Sequence, residues 1–166
     1  MGTRLHWIVV GVVMLMAPAG CAGRLASEGV GDGFAARADA VCAAALESKA
    51  AWQPFPLAAF DPSDPDPAAL GDVAPWLADV VAPTFEGWRD GLVALGEPPR
   101  GQAAWTDALA AVDSIVVGNE DQIAAAIAGD ATSFAAATSA LRRAQPVLVA
   151  ATQAAGVPAC AQVHAD

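Results

Sequence analysis

The chain has 166 residues, 55% of them hydrophobic and 16% charged, with 18 acidic against 8 basic side chains and a formal net charge of −10. That balance argues against grip on a nucleic-acid backbone and against flat docking on an anionic membrane, since both need clustered Lys and Arg. The length allows one domain with a real core.

Arg4 supplies a short positive start, and Trp7 to Met16 is an unbroken apolar run. Roughly a dozen apolar residues are too few to cross a hydrocarbon layer of about 30 Å as a helix. With the small residues Ala17, Ala19 and Gly20 behind them, residues 1–20 read as a cleaved export signal. The small-small-Cys order ending at Cys21 resembles the lipobox of bacterial lipoproteins, which implies that Cys21 is lipidated and becomes the first residue after cleavage. Pro18 stands where a lipobox usually carries a branched apolar residue, and Ala17-Pro18-Ala19 also suits an ordinary signal-peptidase site that would release a secreted protein. The cysteines are Cys21, Cys42 and Cys160, so lipid on Cys21 consumes the odd thiol and leaves a pair. The expected location is the outer face of the cell membrane, with secretion as the alternative. About 146 residues would remain after cleavage, and the charge would become −11 because Arg4 leaves while all 18 acidic residues stay. Membrane attachment would then rest on acyl chains, of which two or more anchor stably.

Residues 21–33 are Gly-rich and aperiodic, and read as a flexible tether. From Phe34 the pattern turns helical: Phe34, Ala38, Val41, Ala45, Ser48 and Trp52 recur by fours and threes, with Cys42 beside the stripe. Residues 53–67 carry five prolines and three aspartates, which predicts a long loop with Phe55, Leu57 and Phe60 available to pack down. Asp66-Pro67 pairs a capping residue with a proline at the first helical position, opening a second helix that runs to about Leu95. Trp76, Val80, Val81, Phe85, Trp88, Leu92 and Leu95 make its apolar face, while Pro75 and Pro83 predict kinks or a break before Trp76. A third helix is predicted over 102–128 along Trp105, Leu109, Val112, Val116, Asn119, Ile123 and Ile127. Gly129 stops it and Asp130 caps a fourth, which carries Phe134, Ala137, Leu141, Ala144, Leu148, Ala151 and Ala155 and should bend at Pro146.

These elements predict an all-α fold, an up-and-down antiparallel four-helix bundle over residues 34–160 followed by a C-terminal tail at 161–166. In that topology the first and fourth helices are neighbours, so Cys42 and Cys160 come within reach of a disulfide; two inert buried thiols are the alternative. Ala38-Asp-Ala-Val-Cys-Ala43, Leu92-x-x-Leu95 running into Pro98-Pro99, Gly129-Asp130 before Phe134, and Gly156-x-x-x-Cys160 resemble a group of uncharacterised helical lipoproteins from high-GC Gram-positive bacteria. The resemblance spans most of the chain beyond the signal and implies a lipobox, a helical bundle and a terminal disulfide. It implies no activity.

Chemistry-bearing residues are sparse. His164 is the single histidine beyond the signal and sits two residues from the end, with no group at hand to orient it as a catalytic base, and Cys160-x-x-x-His164 offers no metal pair if the sulfur is bridged. No catalytic residue, metal site or cofactor is expected. Asp61, Asp64 and Asp66 lack the glycine turn and closing Glu of a calcium loop and read as a solvated acidic segment. Asp113, Glu120 and Asp121 should pair at the surface with Arg142 and Arg143, and Asn119 on the apolar stripe should fix helix register. Trp52, Phe55, Phe60, Trp76, Trp88 and Trp105 are the one candidate for an apolar pocket between helices, roofed by the Pro-rich loop. The function expected is a non-enzymatic, lipid-anchored envelope protein that binds a protein or envelope component; the alternative is a carrier or sensor of a small apolar ligand in that pocket.

Overall fold

The computed structural model describes residues 29–55, 57 and 59–165. The stretch read as an export signal, Cys21 and most of the expected tether lie outside these residues. The described chain is all-helical, without strands, and its helices pack together around one core. They are α1 (Asp32–Ala50), α2 (Pro67–Trp76), α3 (Ala82–Ala94), α4 (Gln102–Ala128) and α5 (Ala131–Ala155), with a π-helical turn (Leu77–Val81) joining α2 to α3 and a 3-10 turn (Pro158–Gln162) after α5. None of the described helices is long and apolar enough to cross a membrane.

The ends of the elements follow from their punctuating residues. Asp66 caps α2 through a bond from the Ala68 N–H at 2.9 Å, and Pro67 fills the first helical position. Asp130 caps α5: its carboxylate accepts the Ser133 N–H at 3.0 Å and the Ser133 hydroxyl at 2.7 Å. Gly129, at φ 66°, closes α4 in the left-handed region that a side chain would disfavour. Pro75 and Pro83 do not break the second helix. A π turn falls between them, with the Ala82 N–H reaching back five residues to the Leu77 carbonyl. A widened ladder shifts each acceptor to a donor one residue further on, so the N–H missing from a proline is bypassed.

Packing contacts give the relative directions. Val41 lies against Gly91, Cys42 against Trp88 and Trp52 against Thr84, so α1 and α3 run antiparallel. Gly118 lies under Leu141 and Gln122 meets Thr138, so α4 and α5 do the same. The first helix reaches the last through the terminal turn, which packs on both, and through the Val30 N–H, which donates to the Ala155 carbonyl at 3.1 Å.

Cys42 and Cys160 are bonded, with Cα atoms 5.0 Å apart and a sequence separation of 118. Both are buried, and the Trp88 indole N–H points at Cys42 Sγ at 3.2 Å. Cys42 rather than Val41 is the fully buried residue at this level of α1. Packed structure starts before Phe34, because Val30 is already buried and the tether therefore ends sooner than its glycines suggest. The residues after Cys160 are no loose tail: Ala161 and Val163 turn inward, and the Lys49 ammonium holds the carbonyls of Val163 (3.3 Å) and Ala165.

The inner face of α4 keeps Trp105, Val112, Val116 and Asn119 of the expected stripe, all buried, and departs from it toward the C-terminal end. Its seam runs Trp105, Ala108, Val112, Ile115, Asn119, Gln122 and Ala126, all buried, whereas Ile127 is 71% exposed. Strict alternation of three and four keeps a helix facing its partner; the two successive steps of four that place Ile127 on the stripe carry it off the seam.

Three measurements test this account. Chemical denaturation of the Cys42→Ala/Cys160→Ala protein should show a loss of about 5 kcal/mol against the bridged chain, the value expected for closing a loop of this size. Gly118→Val should lower stability by about 1–3 kcal/mol, since a Cβ there would lie 2.6 Å from Leu141 Cδ2 and 2.9 Å from its Cγ. The Ser133 N–H and hydroxyl hold the Asp130 carboxyl below its ordinary pKa of 3.8. Its contribution is therefore complete above that pH and lost as pH falls through the lowered value. Thermal melts should show Asp130→Ala less stable than the parent near neutrality, with the gap closing in acid.

Candidate functional site

The aromatic residues expected to line a pocket divide into two sets. Trp52, Phe55, Phe60 and Trp76 come together, joined by Phe85 and Phe134. Their ring centroids lie 5.0–5.9 Å apart along the path Phe134, Phe60, Phe55, Trp76, Trp52, Phe85. Most of these meetings are edge-to-face, the geometry that the ring quadrupole favours. The rings thus spend their faces on one another and staple the Pro-rich loop to α2, α3 and α5. The Trp52 N–H donates to Thr84 Oγ1 at 2.9 Å and the Trp76 N–H to the Gln53 carbonyl at 3.1 Å. Trp88 and Trp105 lie fully inside the core, Trp88 over the disulfide with its ring 6.3 Å from that of Phe85, and Trp105 edge-on to Phe34. The Trp105 indole N–H is buried without a partner among the described residues.

The charged candidates are also sorted by the structure. Asp113 faces Arg89 at 4.0 Å, and Arg89 pairs with its neighbour Asp90 at 3.0 Å, which raises the guanidinium pKa. Arg142 and Arg143 do not pair with that acidic group. Arg142 Nη1 donates to Ser63 Oγ at 2.6 Å, across to the Pro-rich loop, and Arg143 to Ser139 on its own helix at 3.2 Å. In the acidic loop Asp61 accepts the Ser63 N–H at 2.8 Å and Asp66 caps α2. No group of three or more His, Cys, Asp or Glu poised for a metal occurs among the described residues. Asn119 is buried as expected, but its amide donates to the Ile115 carbonyl of its own helix at 2.8 Å and gives no link between helices.

The link between α4 and α5 comes from a residue the sequence reading passed over. Gln122 Nε2 donates to Thr138 Oγ1 at 2.8 Å, and the Thr138 hydroxyl donates back to the Phe134 carbonyl at 3.0 Å. The signal available was Gln122 three residues after Asn119, on the same face of the helix. This pair floors a crevice of about 400 Å³ whose walls are Leu141, Arg142 and Gln145 of α5, Pro62 of the loop, and His164 and Ala165 beyond the terminal turn. His164 is half-buried. Its Nδ1 lies 2.6 Å from Gln145 Oε1, and its ring lies 5.9 Å from that of Phe85. Gln145 Nε2 donates in turn to the Ala161 carbonyl at 3.4 Å. Three separate stretches of chain therefore bring an arginine, an imidazole and two primary amides to one concavity, an arrangement suited to holding a polar ligand.

Comparison of the chain with protein families, with curated proteins and with solved structures finds no match.

Proposed function

We propose that the chain is an exported helical bundle, tethered by lipid at Cys21 to the outer face of the membrane, that works by binding a protein or envelope component rather than by catalysis. The observation that carries this reading is the buried bond between Cys42 and Cys160. Disulfides form and persist in oxidising compartments and are rare in the cytosol. This one consumes two of the three cysteines and leaves Cys21, at the end of the apolar run, as the sulfur available for a thioether. The acidic composition supports the same division of labour: the charge keeps the bundle off an anionic surface, and acyl chains supply the attachment. A binding role is supported by the polar crevice under the terminal turn, whose groups are donors and acceptors held by hydrogen bonds to one another.

Intact-mass measurement on protein extracted from native membranes tests the reading. The expected result is a chain starting at Cys21, heavier by its acyl groups and lighter by the two hydrogens lost on joining Cys42 to Cys160. A chain that retains residues 1–20 with three alkylatable thiols overturns it.

A further inference from the structure

We infer that the crevice between Gln122 and His164 is a binding site for a carboxylate group, held chiefly by the Arg142 guanidinium. In a chain with 18 acidic and 8 basic residues, this concavity is lined by an arginine and a histidine and by no carboxylate among the described residues. Arg142 forms no ion pair among the described residues; one of its N–H groups is spent on Ser63 Oγ, and Asp61, beside Ser63 in sequence, is occupied with the Ser63 backbone. A planar guanidinium with unspent donors prefers a bidentate carboxylate partner.

The floor adds a second element. Gln122 is 8% exposed and uses one amide hydrogen on Thr138; its other amide hydrogen and its oxygen take no partner among the described residues. A ligand oxygen at the floor of the crevice would take up the unspent N–H. Gln145 and His164 brace each other through the Nδ1 contact and set the outer wall. The space admits a compound of a few carbon atoms or the end of a peptide, and its apolar side is Leu141 and Pro62. This inference gives the proposed binding role a ligand class. It is read on binding alone, so its failure would leave lipid attachment, which is read by mass, standing.

The test uses the full chain with its disulfide intact, in detergent, followed by NMR of the side-chain amides of Gln122 and Gln145. Three probes are titrated: succinate, N-acetyl-alanyl-alanine with a free C-terminus, and the same dipeptide as its C-terminal amide. Both carboxylates should shift the two amides saturably, and the amidated dipeptide should not. Arg142→Gln should weaken carboxylate binding about tenfold or more, as expected for loss of a charged hydrogen bond. Arg142→Lys should retain part of it, and Arg143→Gln, one residue away on α5, should leave it unchanged. Arg142 is exposed, so its variants should keep the parental melting temperature. Tighter binding of succinate assigns the site to a free organic acid, and tighter binding of the dipeptide assigns it to a peptide C-terminus. Absence of saturable shifts at tens of millimolar, equal binding by the amidated dipeptide, or an unchanged affinity in Arg142→Gln overturns the inference.

Discussion

The bond from Cys42 to Cys160 is the constraint on which the rest of the molecule hangs. It joins the middle of α1 to the 3-10 turn after Gly156, which packs on both α1 and α5. Once the turn is fixed, Val157, Ala161 and Val163 are delivered to the core, and α1 gains a surface through which it touches α5. Lys49 then finds the Val163 and Ala165 carbonyls, and His164 finds Gln145. The crevice wall stands four residues beyond a sulfur, so a single covalent link sets both the closure of the fold and the shape of its concave site. In chain-entropy terms a bridge across so long a stretch removes much of the freedom of the unfolded chain.

The two sides of the bundle are built on different principles. Where α4 meets α5, small residues let the backbones approach until Gly118 lies under Leu141. Alanine buries little area, so such a seam contributes less hydrophobic free energy per residue than one of leucines. The large side chains are concentrated on the other side, where the Pro-rich loop folds over α2 and α3 and the rings from Phe60 through Trp76 and Trp52 to Phe85 interlock. The loop is long because it has to span from the end of α1 to Asp66, and its prolines reduce the entropy lost when it is pinned. In that interlock the rings from Phe60 to Phe85 meet one another directly, so ring edges occupy space that their spacing along the chain had seemed to leave open.

Most of the helical architecture was legible in the sequence, and for definite reasons. Asp66-Pro67 and Gly129-Asp130 act through local backbone chemistry, so the starts of α2 and α5 could be placed without knowing what surrounds them. The pairing of two distant cysteines followed from topology plus the count of three. What escaped depends on tertiary context. Val30 sits between glycines and looks like linker until α5 supplies the carbonyl of Ala155 for its N–H. Residues 161–165 look like a free end until Lys49 and Gln145 bind them. Arg142 looks like a partner for the acids of α4, but its reach is toward Ser63, a residue 79 positions earlier in the chain. The Gln122–Thr138 bond required knowing the rotation of α4 to within one residue, which a stripe containing both Asn119 and Ile127 does not determine.

The buried polar residues of the α4–α5 seam show why the crevice opens where it does. Thr138 and Thr152 each return a hydrogen bond to a backbone carbonyl four residues earlier, at 3.0 and 2.8 Å, and so settle their one donor inside their own helix, while Asn119 spends one of its two amide N–H groups in the same way, at 2.8 Å. Such residues can lie in a dry seam at small cost. Gln122 has a longer side chain that reaches across to α5, and after that bond it still carries an oxygen and an N–H. Sealing those atoms under alanine would cost about 1–3 kcal/mol for each group left unmet. The packing parts above Gln122, and the residues that border the opening, Arg142, Gln145 and His164, are polar side chains that can meet water or a ligand there.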